Sequence, residues 1–255
     1  MRTRSARIAT ALGSAVVATA VVWPSTALGD TAQPRRLSEV TAVGVHNAYE
    51  QGTFPYFADA LDSGATLLEL DVWTDPITRR WRVSHSNMFG NANNCTDTAD
   101  PARLRSAARN QDFGRCLDNL KAWHDTHPGH RPIVLKIELK DGFQENQGQG
   151  PAHFDELVRS RLGDALYGPG DLLAKPGGGT YATLEEAAHA DNWATTKALA
   201  GKVLIELTPG TFEQGNPFDT LWTDVEYARH LRNLHAEGQA DRAVAFPTVL
   251  GAAPG

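Results

Sequence analysis

The 255-residue sequence predicts an α/β fold on a mainly parallel sheet, read as a (β/α) barrel rather than an open doubly wound sheet. Three observations carry this reading. Short runs rich in Val, Ile and Leu alternate with helical patterns, the arrangement that gives a parallel sheet flanked by helices. No Gly-x-Gly-x-x-Gly turn follows the first strand and no Gly-x-x-x-x-Gly-Lys loop occurs, so a dinucleotide or P-loop sheet has no support. Polar residues capable of chemistry recur at the C-terminal ends of successive strand-like runs, where barrel enzymes keep their sites.

The elements follow in chain order. Arg2, Arg4 and Arg7 precede an apolar run from Ile8 to Trp23, and Ser25, Ala27 and Gly29 are small. That order predicts a secretory signal peptide over residues 1–29, cleaved after Ala27 or Gly29. The apolar run is shorter than the roughly 20 residues that span a bilayer. A single domain is expected over residues 31–255, exported and monomeric.

Strands are expected at Thr41–His46, Leu67–Trp73, Trp81–His85, Pro132–Leu139, Lys202–Leu207 and Ala243–Leu250. Six strands fall short of a closed eight-stranded barrel, so the barrel is expected to be incomplete at its C-terminal end. The Asp75–Arg80 connection is too short for a parallel crossover. Between the strands, Phe54, Phe57, Ala58 and Leu61 share a helical face that Gly64 terminates. Leu117, Leu120 and Trp123 repeat at helical spacing, as do Phe154, Leu157, Val158 and Leu162, with Arg161 as a polar intruder. Thr183 and Glu186 form a capping-box pattern. The last helix is drawn from Phe218 to Ala236 with Leu221, Val225, Ala228 and Leu231 inward.

Hydrophobic residues make up 41% and charged residues 21%, which excludes a disordered chain. The formal charge is -6, and it is more negative still without the N-terminal arginines, so nucleic acid is not an expected partner. Net charge alone would not draw the chain to an anionic membrane. Cys95 and Cys116 are the two cysteines. In an oxidising compartment one disulfide is the economical expectation, worth roughly 3 kcal/mol for a loop of about twenty residues. Two separate thiols are the alternative.

In Leu68-Glu69-Leu70-Asp71-Val72 the two acids are two residues apart, so on a strand they point to the same face. Buried side by side they repel, and a hard cation between them keeps both ionised. Oxygen ligands without a nearby thiol favour Ca²⁺ or Mg²⁺; a solvated edge strand is the plainer alternative. His46 and His85 each end a strand, and Asn47 adds a neutral oxygen. Two imidazoles flanking a carboxylate pair suit charge stabilisation by one and protonation of a leaving group by the other. Lys136, Glu138 and Lys140 share one face of another strand: Glu138 can complete the cation site, and either lysine can meet a substrate phosphate. His124, His127 and His130 recur at intervals of three, but Pro128 and Gly129 break any helix there, so a polar loop is expected rather than a metal site.

The ordered blocks His46-Asn47-Ala48-Tyr49, Ala60 to Ala65 running into Leu68-Glu69-Leu70-Asp71-Val72-Trp73, Val83-Ser84-His85, and Ile133 to Glu138 resemble the catalytic X region of phosphoinositide-specific phospholipase C. The resemblance is strongest to the secreted calcium-dependent bacterial branch of the PLC-like phosphodiesterases, over about residues 41–140. It implies a TIM-barrel-like PLC fold and cleavage of phosphatidylinositol to diacylglycerol and inositol phosphate at a lipid surface. His46 would stabilise the phosphoryl transition state, and His85 would be the general acid. Asn47, Glu69, Asp71 and Glu138 would hold Ca²⁺. Glu69 or Glu138 would be the base for the inositol 2-hydroxyl. Two rivals stand beside it. A glycerophosphodiester phosphodiesterase would show His-Arg-Gly and His-Asp where this chain has His46-Asn47-Ala48 and His85-Ser86-Asn87. A secreted calcium-binding protein without turnover is the rival from another class.

Overall fold

A computed structural model describes residues 34–213 and 221–248. The expected signal peptide lies outside the described residues, as do positions 218–220 and 249–250 of two expected elements. Among the described residues, no helix is long and apolar enough to cross a membrane.

The elements run β1 (Gly44–Val45), α1 (Phe57–Asp62), β2 (Leu67–Asp75), β3 (Arg80–Val83), α2 (Phe113–Thr126), β4 (Ile133–Leu139), α3 (Pro151–Leu162), α4 (Pro169–Leu173), α5 (Leu184–His189), β5 (Val203–Pro209), α6 (Thr223–Ala236) and β6 (Ala245–Pro247). The strands form one sheet of order β1-β2-β4-β5-β6, parallel throughout, with β3 hairpinned antiparallel onto β2. The four residues between Asp75 and Arg80 leave room for nothing but a hairpin.

Alternation along the strands divides the sheet into two faces. Leu68, Leu70, Val72, Leu135, Ile137, Leu139, Ile205 and Leu207 point outward. They form the main core with Phe57 and Leu61 of α1, Leu117 and Leu120 of α2, Phe154 and Val158 of α3, and Tyr227 of α6. The inner face is layered by register. Leu67, Val134 and Leu204 align at the bottom, then Glu69, Lys136 and Glu206, then Asp71, Glu138 and Thr208. Leu204 and Val134 pack with Leu37, Leu172 and Trp193 beneath the charged layers, joined by Phe246, which is in register with Glu206. The site therefore stands on an apolar plug at the C-terminal ends of the strands.

Three expectations are corrected. The first strand is two residues, not Thr41–His46, because Gly44 already pairs with Leu67, the first residue of β2. β3 ends at Val83, so His85 lies in the turn beyond it. The last helix begins at Thr223, and Val225 and Ala228 are exposed on it. Its buried side is Thr223, Asp224, Tyr227, Leu231 and Leu234. Tyr227 decides this, because its hydroxyl donates to Asp155 Oδ1 and accepts the amides of Val244 and Ala245 at 3.0 and 2.9 Å. That polar anchor outweighs an apolar stripe read from spacing. In the segment between α2 and β4, His124 Nδ1 and His130 Nε2 lie 3.0 Å apart, while His127 stacks on Trp123. The loop returns on itself after Pro128, which helical geometry could not foresee.

Cys95 and Cys116 are joined in a disulfide across a sequence separation of 21.

Candidate active site

Strand β2 delivers two acids to the inner face, and both are buried, Glu69 to 2% and Asp71 to 1% exposure. Glu69 Oε1 accepts from Lys136 Nζ at 2.8 Å. Its Oε2 accepts the Asn47 amide at 3.1 Å and lies 3.1 Å from His46 Nε2. Asn47 has a positive φ of 54°, a conformation asparagine tolerates better than most residues, and this folds the His46–Glu50 turn over the strand end. Asn47 Oδ1 accepts from the Tyr49 hydroxyl at 3.3 Å. Tyr49 is buried, and burial together with the charges of Asp71, Glu50 and Glu69 raises its pKa far above the phenol range, so it is a neutral donor.

Glu138 faces Asp71 across the β2–β4 register. Lys140 lies between them, its Nζ 2.8 Å from Glu138 Oε1 and 3.1 Å from Asp71 Oδ2. Burial works against ionising Glu138, but Lys140 and the Thr211 amide outweigh it and hold its pKa below the usual carboxylate range. At Asp71 burial prevails over Lys140, and the pKa is raised. Burial opposes the charge on both lysines, yet their carboxylate partners prevail and raise the pKa of each.

His85 follows Ser84, whose amide donates to the Asp71 carbonyl at 3.1 Å. The imidazole is half exposed, with Nδ1 3.4 Å from Glu50 Oε1. A carboxylate at Nδ1 orients the ring and leaves Nε2 as the free nitrogen. Phe212 closes one side, its ring centroid 5.1 Å from that of Trp73 in a tilted contact and 5.7 Å from Lys140 Nζ.

The fold thus draws His46, Asn47, Glu69, Asp71, Lys136, Glu138 and Lys140 into one contact network, with His85 on the adjoining turn. Tyr49 and Glu50 were not singled out from sequence. The only available signal was their place directly after His46-Asn47, and their partners depend on how that turn folds. Thr211 and Phe212 gave no signal at all.

The carboxylate oxygens of Glu69, Asp71 and Glu138 lie within 4.8 Å of one another. Against these three negative charges stand the two lysine ammoniums, so one negative charge remains. Asp71 Oδ1 is buried with no hydrogen-bond partner. A buried, unpaired carboxylate oxygen in an all-oxygen donor set is what a hard cation satisfies. Glu69, Asp71 and Glu138 therefore fit Ca²⁺.

The sheet is mainly parallel, and the end where its strands finish carries the carboxylate cluster with His46 and His85 on the adjoining turns, the end at which α/β barrel enzymes keep their sites. A family model described as phosphoinositide phospholipase C, Ca²⁺-dependent, matches residues 55–215. A Ca²⁺-dependent phosphatidylinositol-specific phospholipase C from Streptomyces antibioticus is 59% identical, with a TM-score of 0.78, over 84% of this chain and 66% of that one. A calcium-dependent phosphoinositol-specific phospholipase C from Pseudomonas sp., solved with myoinositol, is 31% identical, with a TM-score of 0.62, over 84% of this chain and 66% of its own. No curated protein matches. The chain belongs to the Ca²⁺-dependent phosphoinositide phospholipase C family. It spans 66% of the length of these solved relatives.

Proposed function

We propose that this protein is an exported calcium-dependent phosphodiesterase that cleaves phosphatidylinositol to diacylglycerol and an inositol phosphate. The observation that carries the reading is the Glu69–Asp71–Glu138 oxygen cluster, with an unpartnered Asp71 Oδ1, set beside His46 and His85. The inositol 2-hydroxyl attacks phosphorus while the bond from phosphorus to the glycerol oxygen breaks. Glu69 or Glu138 takes the hydroxyl proton, and His85 Nε2 gives a proton to the departing alkoxide. His46 faces the charge that builds on the non-bridging phosphoryl oxygen. Lys136, a quarter exposed beside Glu69, is the lysine within reach of a phosphate, whereas Lys140 is committed to Asp71 and Glu138. Ca²⁺ bound here would lower the pKa of the attacking hydroxyl and offset phosphate charge.

Lipid contact fits the rim. Ile77, Phe89, Phe212 and Trp222 are 81%, 71%, 50% and 45% exposed. All four sit on segments beyond the strand ends that carry the site. An inositol headgroup agrees with the myoinositol complex of the Pseudomonas relative.

The test incubates the protein with phosphatidylinositol and, separately, with glycerophosphocholine, each with Ca²⁺ or EGTA. Inositol phosphate released only with Ca²⁺ is the expected result. Cleavage of the soluble diester alone would reassign the chemistry to a glycerophosphodiester phosphodiesterase. Calcium binding with neither product would leave a calcium-binding protein without turnover.

A further inference from the structure

The proposed chemistry leaves one strongly basic feature unused. A concavity of about 270 Å³ opens on the outer wall, between the β2–β3 turn and helices α2 and α3. Arg79, Arg80, Arg115, Arg161 and His153 line it around Trp81, and Asp112 is its one carboxylate. In a chain of formal charge -6, four guanidiniums around one hollow are a marked local reversal of sign.

The guanidiniums are not equally engaged. Arg161 Nη1 lies 2.8 and 3.0 Å from the two Asp118 oxygens. Arg115 reaches Asp97 at 2.9 Å and Asp118 at 3.1 Å. These two are held by carboxylates behind the wall. Arg80 is different: its side chain is 68% exposed, and its contact to Asp112 Oδ2 is 3.5 Å long. Asp112 Oδ1 already accepts the Gly114 amide at 2.8 Å. Arg79 donates to the Gln147 carbonyl, a neutral partner that leaves its charge uncompensated.

The turn that presents Arg79 and Arg80 is rigidly built. Asp75 accepts the amides of Ile77 and Thr78 at 3.0 and 3.1 Å and the Thr78 hydroxyl at 2.7 Å. Ile77, at its tip, is 81% exposed. The turn continues β2 four residues past Asp71, roughly 13 Å further along the strand, at the same end of the sheet as the carboxylates.

We propose that this concavity is a second anion site that takes the phosphate of an anionic lipid headgroup, with Ile77 entering the apolar layer beside it. Guanidinium forks match phosphate oxygens in pairs, and Arg79 and Arg80 hold the donors that are free to do so. The site lets an acidic protein dock on an anionic surface with the mouth of its barrel facing that surface. The inference rests on the phosphodiesterase reading for its membrane setting, but it is tested without turnover.

The experiment measures co-sedimentation of the full chain with phosphatidylcholine vesicles, with and without phosphatidylglycerol, in EGTA and without phosphatidylinositol. The wild type is expected to prefer the phosphatidylglycerol vesicles, and added salt should weaken that preference. Arg79→Ala/Arg80→Ala should lose roughly 25-fold of it, at about fivefold per surface charge. Arg80→Ala alone, at an exposed position, should lose a share of it and covers the case in which the double variant misfolds. Calcium binding by each variant at the wild-type level reports that the barrel is intact. Equal partitioning by wild type and both variants would overturn the proposal. So would binding of inorganic phosphate by the wild type without preference for phosphatidylglycerol, which would assign the hollow to a soluble anion.

Discussion

Lys140 Nζ lies within 3.1 Å of both Asp71 and Glu138 while its side chain is only 5% exposed. An ammonium held there neutralises two acids that would otherwise repel across the β2–β4 register. Removing one partner of such a buried group typically costs about 3–5 kcal/mol, because the remaining charge stays buried and unpaired. Lys140→Met should therefore lower the melting temperature in EGTA, and Ca²⁺ should raise it more in the variant than in the wild type. Melting curves with and without Ca²⁺ check this, and a variant that melts like wild type in EGTA would refute the neutralising role. His85 stands outside that cluster, with Glu50 as its ion-pair partner among the described residues. His85→Gln is expected to cut phosphatidylinositol hydrolysis by about 10²–10⁴-fold, the usual contribution of a general acid. Calcium affinity by titration calorimetry should stay at the wild-type value. Retained turnover would take the acid role away from His85.

The β5–α6 connection is held at element scale by Glu213. Its Oε1 accepts the Thr223 amide at the start of α6, and its Oε2 accepts the Gly210 amide at 3.3 Å. The Gly142 backbone, at a positive φ of 75°, packs against the same side chain, and an added Cβ there would sit 2.9 Å from Glu213 Cγ. Burial, only partly offset by these amides, raises the Glu213 pKa from 4.5 to about 7. The folded chain therefore holds this proton more tightly than the unfolded chain does. The resulting stabilisation is complete below pH 4.5 and is lost as pH rises through 7. Glu213→Gln cannot titrate. The stability of wild type relative to this variant, from urea melts, should fall by up to about 3 kcal/mol between pH 4.5 and 8. A difference independent of pH would show that Glu213 ionises normally in the folded protein.

For the molecule as a whole, the long connection from β3 to α2 has little regular structure of its own. The Cys95–Cys116 bridge fastens it to the core, where both cysteines are fully buried. Asn119 reinforces the bridge by accepting the Thr96 amide at 2.8 Å and donating to the carbonyls of Thr96 and Thr98. Cys95→Ser/Cys116→Ser should cost about 3 kcal/mol through the freed loop. In a domain of this size that corresponds to a melting temperature lower by roughly 6–12 °C. Calorimetry of the variant, and of wild type under reductant, gives the measurement. A shift of a degree or less would mean that packing and Asn119 alone hold the loop.

How much was legible in the chain depends on the distance over which the information acts. The α/β class, the alternation that sets Glu69 with Asp71 and Lys136 with Glu138, and the cysteine pair are all properties of neighbouring residues or of composition. The sequence by itself determined these, and with them the expectation of a calcium site. Only the tertiary structure decided that Asp71 faces Glu138 with Lys140 between them, that Glu50 reaches His85, that Tyr49 lies between Asn47 and Asp71, and that α6 buries Tyr227 rather than Val225. Those outcomes depend on strand register, on where a turn sends the chain, and on which buried polar group finds a partner. Such partners are dozens of residues apart, and no local spacing encodes them.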